Sequence, residues 1–275
     1  MVDKQLLFVT TLITTKHFGK CYSAASGFFF QRDLPEEEKD YISNYWLVTN
    51  RHALYAKNDS IRHKYLVDSL TFRVRIEENA TSKLTWIEAT LTKDELLQKT
   101  RVLPDYGIDV AVIDIREKVR EVLSFVENSS ITIAPIKDSM LADKSCFPIE
   151  VCDDVMIVGY PGGYYDMTNL YPIVKSGTIA SMWGANFRGT KGFAIDAKLF
   201  PGSSGSLVIT KPRMEDLQDG KYLIWKKDKL FYCLGIYSGK PLFNGATFDL
   251  GQVWYYSLIP ETIDKGIAPL DEYVY

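Results

Sequence analysis

The chain has 275 residues, 46% hydrophobic and 13% aromatic, which is enough apolar surface for one large core or two modest ones sharing an interface. A formal charge of -3 gives no electrostatic reason to expect a nucleic-acid backbone or an anionic membrane as the main partner. Four cysteines without a C-x-x-C spacing, and only three histidines, argue against a structural zinc site.

Cys21, Cys146, Cys152 and Cys233 read as reduced, mostly buried thiols, with two disulfides as the less favoured arrangement. At the N-terminus, Leu6–Thr15 is apolar but carries four threonines, a β-branched content that fits a strand better than the core of a signal peptide. Ser23–Ser26 mimics a cleavage site, so export stays open as the minor reading and a cytoplasmic chain is expected. The sequons at Asn58, Asn79 and Asn128 then carry little weight. No stretch approaches a membrane span.

Short β-branched or aromatic runs follow one another along the chain: "SGFFFQR", "YWLVTNRH", "LTFRVRI", "LTWIEATL", "DVAVIDI", "ITIAPI", "DVMIVGYP", "PIVKSGTIASM", "FAIDA", "SGSLVIT" and "LFYCLGIYS". Turn residues punctuate them, the pattern of an all-β sandwich or barrel of antiparallel sheet. The charged segment Gln31–Asn44, with Pro35, separates two strand signals and reads as a surface loop. Helix is scarce. Thr92 followed by Glu95 predicts a capping box on one short helix. Ile115, Val119, Val122, Leu123 and Val126 have helical spacing, and a third short helix is expected near Pro260. Residues 1–275 read as a single domain of two halves, about 1–130 and 131–260 with a short tail, that meet around Leu123–Met140.

Three polar residues interrupt this apolar background. His52 stands at the end of "YWLVTNRHAL", where an imidazole is rigidly supported; a lone histidine there is commonly structural. Asp109 heads "DVAVIDI", and a carboxylate entering the core is costly without a partner. Ser204 lies in "LFPGSSGSLVI", which alone is ordinary loop chemistry. Together they are the inventory for an activated hydroxyl: imidazole as base, carboxylate as its orienter, serine as nucleophile. Gly202 frees the backbone to aim consecutive amides at one point, so the N–H groups of Gly202 and Ser204 are candidates for an oxyanion hole. Asp105 and Asp114 are rival carboxylates, Ser203 a rival serine, and His17 and His63 read as surface residues. "GYPGGYYD", Gly159–Asp166, lacks the Lys-Ser/Thr ending of a phosphate loop.

"LVTNRHAL", "DVAVIDI", "IDAKLFPGSSGSLV", "IVGYPGG" and "VKSGTIAS" together resemble the chymotrypsin-fold, trypsin-like serine peptidases, specifically the HtrA-like bacterial branch without its PDZ domain. The resemblance covers Leu6–Ile259 and implies a double antiparallel β-barrel, a catalytic cleft between barrels, an acyl-enzyme, and neither metal nor organic cofactor. It implies that Leu234–Gly239, with Tyr237, Ser238 and Gly239, pairs with a peptide substrate, and that Ser238 supports Asp109. Lys198 falls at the floor of the primary specificity pocket, with Leu199 and Tyr237 as walls, so acidic or small side chains would enter; the other reading sends Lys198 to solvent.

Departures from the family pattern are Ser206 for a glycine, Ala53 for a disulfide cysteine, and Ser203 where zymogen-activated members carry an aspartate. Without that carboxylate a new N-terminus has no ion-pair partner, so control would fall to a regulatory protein partner or to loop ordering. The expected function is therefore a serine endopeptidase on a protein or peptide substrate. The alternatives are a catalytically silent module that binds peptide in the same cleft and, more remotely, an esterase.

Overall fold

The structure, a computed structural model, describes residues 2–33, 44–58, 63–126, 128–143, 147–218, 221–239, 242–243, 246–247 and 249–274. Most of the loop expected at Gln31–Asn44 and all of Cys146 lie outside these residues.

Phe28, Phe29 and Phe30 show how the sequence sets the architecture. A strand turns successive side chains to opposite faces, and here both faces are covered. Phe29 enters the core of the first half with Leu47, Phe72 and Ile113, whereas Phe28 and Phe30 enter a second core shared with Leu207, Ile236 and Trp254 of the other half. "VAVI" divides in the same way: Ala111 and Ile113 face the first core, Val110 and Val112 the seam. That is why these strands read as unbroken apolar runs. Burial of each such side chain is worth ~1.5–3 kcal/mol, so the seam itself holds the halves together.

The first half is a nine-stranded sheet. Its main path runs Ser129–Ile131, Ser69–Glu78, Thr10–His17, Lys20–Gln31, Tyr45–Thr49, Ala111–Asp114 and Thr100–Val102. Leu84–Thr92 adds to Ser69–Glu78, and Ile136–Lys137 lies parallel to Lys20–Gln31. The second half is a closed barrel of Asp154–Gly159, Ile173–Ile179, Gly192–Asp196, Leu250–Tyr255, Cys233–Gly239 and Leu207–Thr210. Its interior is filled by Val155, Ile157, Phe193, Ile195, Val208 and Val253 among others. The expected all-β fold with a few short helices is the fold observed.

All three expected helices form. Lys93–Lys99 opens on the reciprocal Thr92–Glu95 capping box, Arg116–Ser124 buries Val119 and Val122, and Leu258–Lys265 closes the seam with Leu258 and Ile259. The remaining differences are local. Leu6–Phe8, expected as strand, end a helix Val2–Phe8; the strand starts at Thr10, where the β-branched residues begin. "ITIAPI" splits into two strands around Pro135, which has no N–H for a ladder. A hairpin of Arg213–Gln218 and Tyr222–Leu230 went unanticipated, because its second strand is exposed nearly throughout and shows no apolar alternation. The thiols also need correcting: of the described cysteines, all free, only Cys233 is buried. Cys21 lies near the solvent end of a hairpin and Cys152 in a turn at φ 73°, so neither reaches a core.

No helix among the described residues is long and apolar enough to cross a membrane. No group of three or more metal-ligating side chains occurs among them.

Candidate active site

His52 sits in a single 3-10 turn, Arg51–Leu54, directly after the strand Tyr45–Thr49. Two neighbours grip the segment that carries Asp109. Asn50 Nδ2 donates to the Asp109 carbonyl at 2.8 Å, and the buried Arg51 guanidinium donates to the carbonyls of Asp105 and Tyr106 while lying 4.4 Å over the Tyr106 ring. Asp109 is thereby brought against His52 twice. Its Oδ1 accepts the His52 backbone N–H at 2.8 Å, and its Oδ2 lies 2.6 Å from His52 Nδ1.

Ser238 completes this group, donating its hydroxyl to Asp109 Oδ2 at 2.6 Å. A register shift between Tyr237 and Gly239 in the pairing with Leu250–Tyr255 lets it do so. A bulge of this kind re-aims the side chain it carries. Burial pushes the Asp109 carboxyl upward, but the His52 charge, with hydrogen bonds from the His52 ring, Ser238 and the His52 amide, outweighs it. The carboxyl is held below the usual carboxylate range and is ionised at neutral pH.

Ser204 reaches the same region through Ser26. Ser26 N–H donates to the Ser204 carbonyl at 2.8 Å, its hydroxyl to the Gly202 carbonyl at 3.0 Å, and its own carbonyl accepts from Thr49 Oγ1 at 2.9 Å. One serine therefore ties the turn of Ser204 to the strand that delivers His52. On the other side Gly205 N–H donates to Tyr237 O at 2.8 Å, next to Ser238. The His52 ring and the Ser238 hydroxyl both bond Asp109; the Ser204 hydroxyl takes part in no hydrogen bond among the described residues.

The glycines flanking Ser203-Ser204 are required. Gly202 has φ 85°, and a Cβ there would stand 2.7 Å from Gly162 N; Gly205 has φ 83°, and a Cβ would meet Ser26 O at 2.0 Å. The amides of Gly202 and Ser204 donate to no backbone carbonyl among the described residues. Ser206, the departure from the family glycine, is fully buried and fits because the facing residue is Gly159, whose Cβ would lie 2.0 Å from its hydroxyl.

The expected substrate-binding residues separate. Lys198 is exposed. Leu199 and Tyr237 are each 2% exposed inside the barrel core, with the Tyr237 ring against Gly251 and its phenol pushed up to about 12 by burial. Gly239, at φ 119°, borders open space. Among the rival groups, Asp114 is engaged by Arg116 at 2.9 Å and Asp105 caps its own turn through Gly107 N–H at 2.8 Å. His17 and His63, read as surface residues, are half-buried at strand ends beside Asp68 and Glu272.

Sequence reading missed Ser26, Asn50 and Tyr273. Ser26 is one small residue in a run resembling a cleavage site; only the fold reveals its contacts with Thr49, Tyr160, Gly202 and Ser204. Tyr273 comes from the far end of the chain: the strand Glu272–Val274 pairs with His63–Leu66, and its ring packs at 4.9 Å on both Tyr55 and Tyr106, the latter under Arg51.

The family model for the trypsin-like peptidase domain matches residues 25–213, a span that holds His52, Asp109 and Ser204. No curated protein matches the sequence. Among solved structures, the HtrA-type protease AlgW with a tripeptide is similar over 96% of this chain and 62% of that chain, at 16% identity and a TM-score of 0.50. Rv3671c from M. tuberculosis, in an inactive form, is similar over 96% of this chain and 88% of that one, at 15% identity and a TM-score of 0.46. The serine endoprotease from Yersinia pestis gives 96%, 66%, 15% and 0.46 for the same measures. This chain thus spans about three-fifths of AlgW, and at such identities the likeness to AlgW is one of fold. The family match covers well over half of the sequence, and the chain belongs to the trypsin-like peptidase family.

Proposed function

We propose that this chain is a serine endopeptidase acting on a protein or peptide substrate, with Ser204 as nucleophile, His52 as general base and acid, and Asp109 as the carboxylate that orients the imidazole. The observation that carries this reading is the double hold of one ionised carboxylate on His52, through the ring and through the backbone amide. A carboxylate on Nδ1 leaves Nε2 unprotonated and able to take the serine proton.

Ser204 Oγ adds to the scissile carbonyl carbon as its proton passes to His52 Nε2, and the amides of Gly202 and Ser204 hold the resulting oxyanion, each donor worth about 3–4 kcal/mol. Collapse expels the amine, which takes the proton from His52 and leaves an acyl group on Ser204; water repeats the sequence and releases the acid. The substrate backbone pairs with the strand Cys233–Gly239 beyond Ser238. Zymogen cleavage has no role, because the buried Ser203 hydroxyl carries no charge for a new N-terminus to meet. Activity is expected in the cytoplasm, under the control of a protein partner or of loop ordering.

The second reading, a silent peptide-binding module, has one observation in its favour: the Ser204 hydroxyl is not hydrogen-bonded to His52. Such bonds are often long before substrate binds, which keeps the enzymatic reading first. A peptide-library digest with wild type and Ser204→Ala separates the two. Cleavage by wild type alone supports the peptidase, and binding without cleavage by both supports the module.

A further inference from the structure

Where the first sheet meets the segment after Tyr160, a cavity of about 10 Å3 is lined by Phe8, Thr10, Arg73, Arg75, Trp86 and Tyr160 among others. Arg73 and Arg75 stand two residues apart on the strand Ser69–Glu78 and so project to the same face. Arg75 is only 6% exposed. Its guanidinium donates to the carbonyls of Leu7 and Leu170 and lies over the rings of Phe8 and Tyr171, at 5.1 and 5.6 Å. No carboxylate pairs with it among the described residues. Arg73 meets Glu88 at 3.2 Å, toward the surface.

Three polar atoms on these lining residues have no hydrogen-bond partner among the described residues: Arg75 Nε, Arg73 Nη1 and Thr10 Oγ1. Two are donors only and the third can donate, so the lining residues offer unused donors from two guanidinium groups and one hydroxyl. A buried cation without a counter-charge is costly, and an unmade hydrogen bond at a charged group adds to that cost. Burial already pushes the Arg75 guanidinium below its ordinary range, opposed mainly by Tyr160. A water molecule here would accept from the guanidinium donors and donate to the Thr10 or Tyr160 hydroxyl, but would leave the buried charge without a counter-ion. A bound cation would be repelled, and a tetrahedral oxyanion needs more room than one water-sized occupant takes.

We propose that this cavity is the binding site of a single chloride-sized monovalent anion, held by Arg75 Nε–H, Arg73 Nη1–H and the Thr10 hydroxyl. The ion neutralises the buried guanidinium and fastens the first sheet to Tyr160.

The test uses the intact chain. Thermal melts in sodium chloride against sodium gluconate at equal ionic strength are expected to show a chloride-dependent rise of a few degrees that saturates. Crystals in sodium bromide are expected to show one anomalous peak in contact with Arg75 Nε. Arg75→Met is expected to lose the chloride response, and Thr10→Val, which keeps both charges, to raise the half-saturating chloride concentration about tenfold. If Arg75→Met does not fold, the Thr10→Val titration and the bromide map still decide. Equal melting temperatures in the two salts, a bromide map without a peak in the cavity, or Thr10→Val titrating like wild type would each overturn the proposal.

Discussion

Ser238 and Asp109 are joined by a 2.6 Å hydrogen bond to the same carboxylate oxygen that faces His52 Nδ1. Two contacts on one oxygen fix the plane of the carboxylate, and with it the rotation of the imidazole. Ser238→Ala is expected to lower kcat about tenfold while leaving KM near its wild-type value, because a hydrogen bond to a charged group is worth about 1.5–3 kcal/mol and this one orients a base rather than binding substrate. Steady-state kinetics on a peptide identified in the library digest check it.

Asp109→Asn is expected to reduce kcat by about four orders of magnitude with the fold retained, since an amide can hold the imidazole in the wrong tautomer. The same residue shapes acid stability. Its folded-state ionisation lies below the unfolded value of about 3.9, so its contribution is fully present above that pH and is lost as pH falls through the folded value. Urea titrations should therefore give a wild-type advantage over Asp109→Asn at about pH 5 that shrinks below about pH 4. An advantage that grew on acidification would contradict the ionised, clamped carboxylate.

Tyr273 supports the His52 turn from the far end of the sequence, through Tyr106 and Arg51. Tyr273→Ala is expected to cost about 2 kcal/mol of stability and to lower kcat several-fold at constant KM. Tyr273→Phe keeps the ring contacts with Tyr55 and Tyr106 and is expected to restore most of both. Chemical denaturation and kinetics on the two variants separate a loss of positioning from a general loss of folded protein.

Cys233 is pushed up to about 12 by burial, so its thiolate is disfavoured in the folded chain and forms readily only after unfolding. Alkylation at pH 8 followed by peptide mapping should modify Cys21 and Cys152 quickly and Cys233 only in denaturant. The sign of the linkage is opposite to that of Asp109: this contribution to stability is complete below about pH 8.5 and declines as pH rises toward 12.

The parts of the site legible in the sequence were those whose signal is local. Gly202 and Gly205 frame Ser204 because the turn needs positive φ, and the buried "VAVI" after Asp109 made a carboxylate there conspicuous. Strands buried on both faces, such as Phe28–Phe30, were visible as apolar runs, although which face met which core was not. Contacts between distant segments left no mark. Ser26, bridging Thr49 and Ser204, is one small residue among several, and Tyr273 acts across a sheet formed with His63–Leu66. The strand Tyr222–Leu230 stayed hidden for the opposite reason: exposed nearly throughout, it has no buried face to impose a period of two on its residues.

The most direct measurement is the reaction of the intact chain with a fluorophosphonate, read by mass spectrometry and mapped by digestion. Activation of the serine by His52 predicts one adduct per chain, on Ser204, absent in Ser204→Ala and strongly slowed in His52→Ala. A folded wild-type chain that gains no adduct, or gains it on a serine other than Ser204, would contradict the assignment.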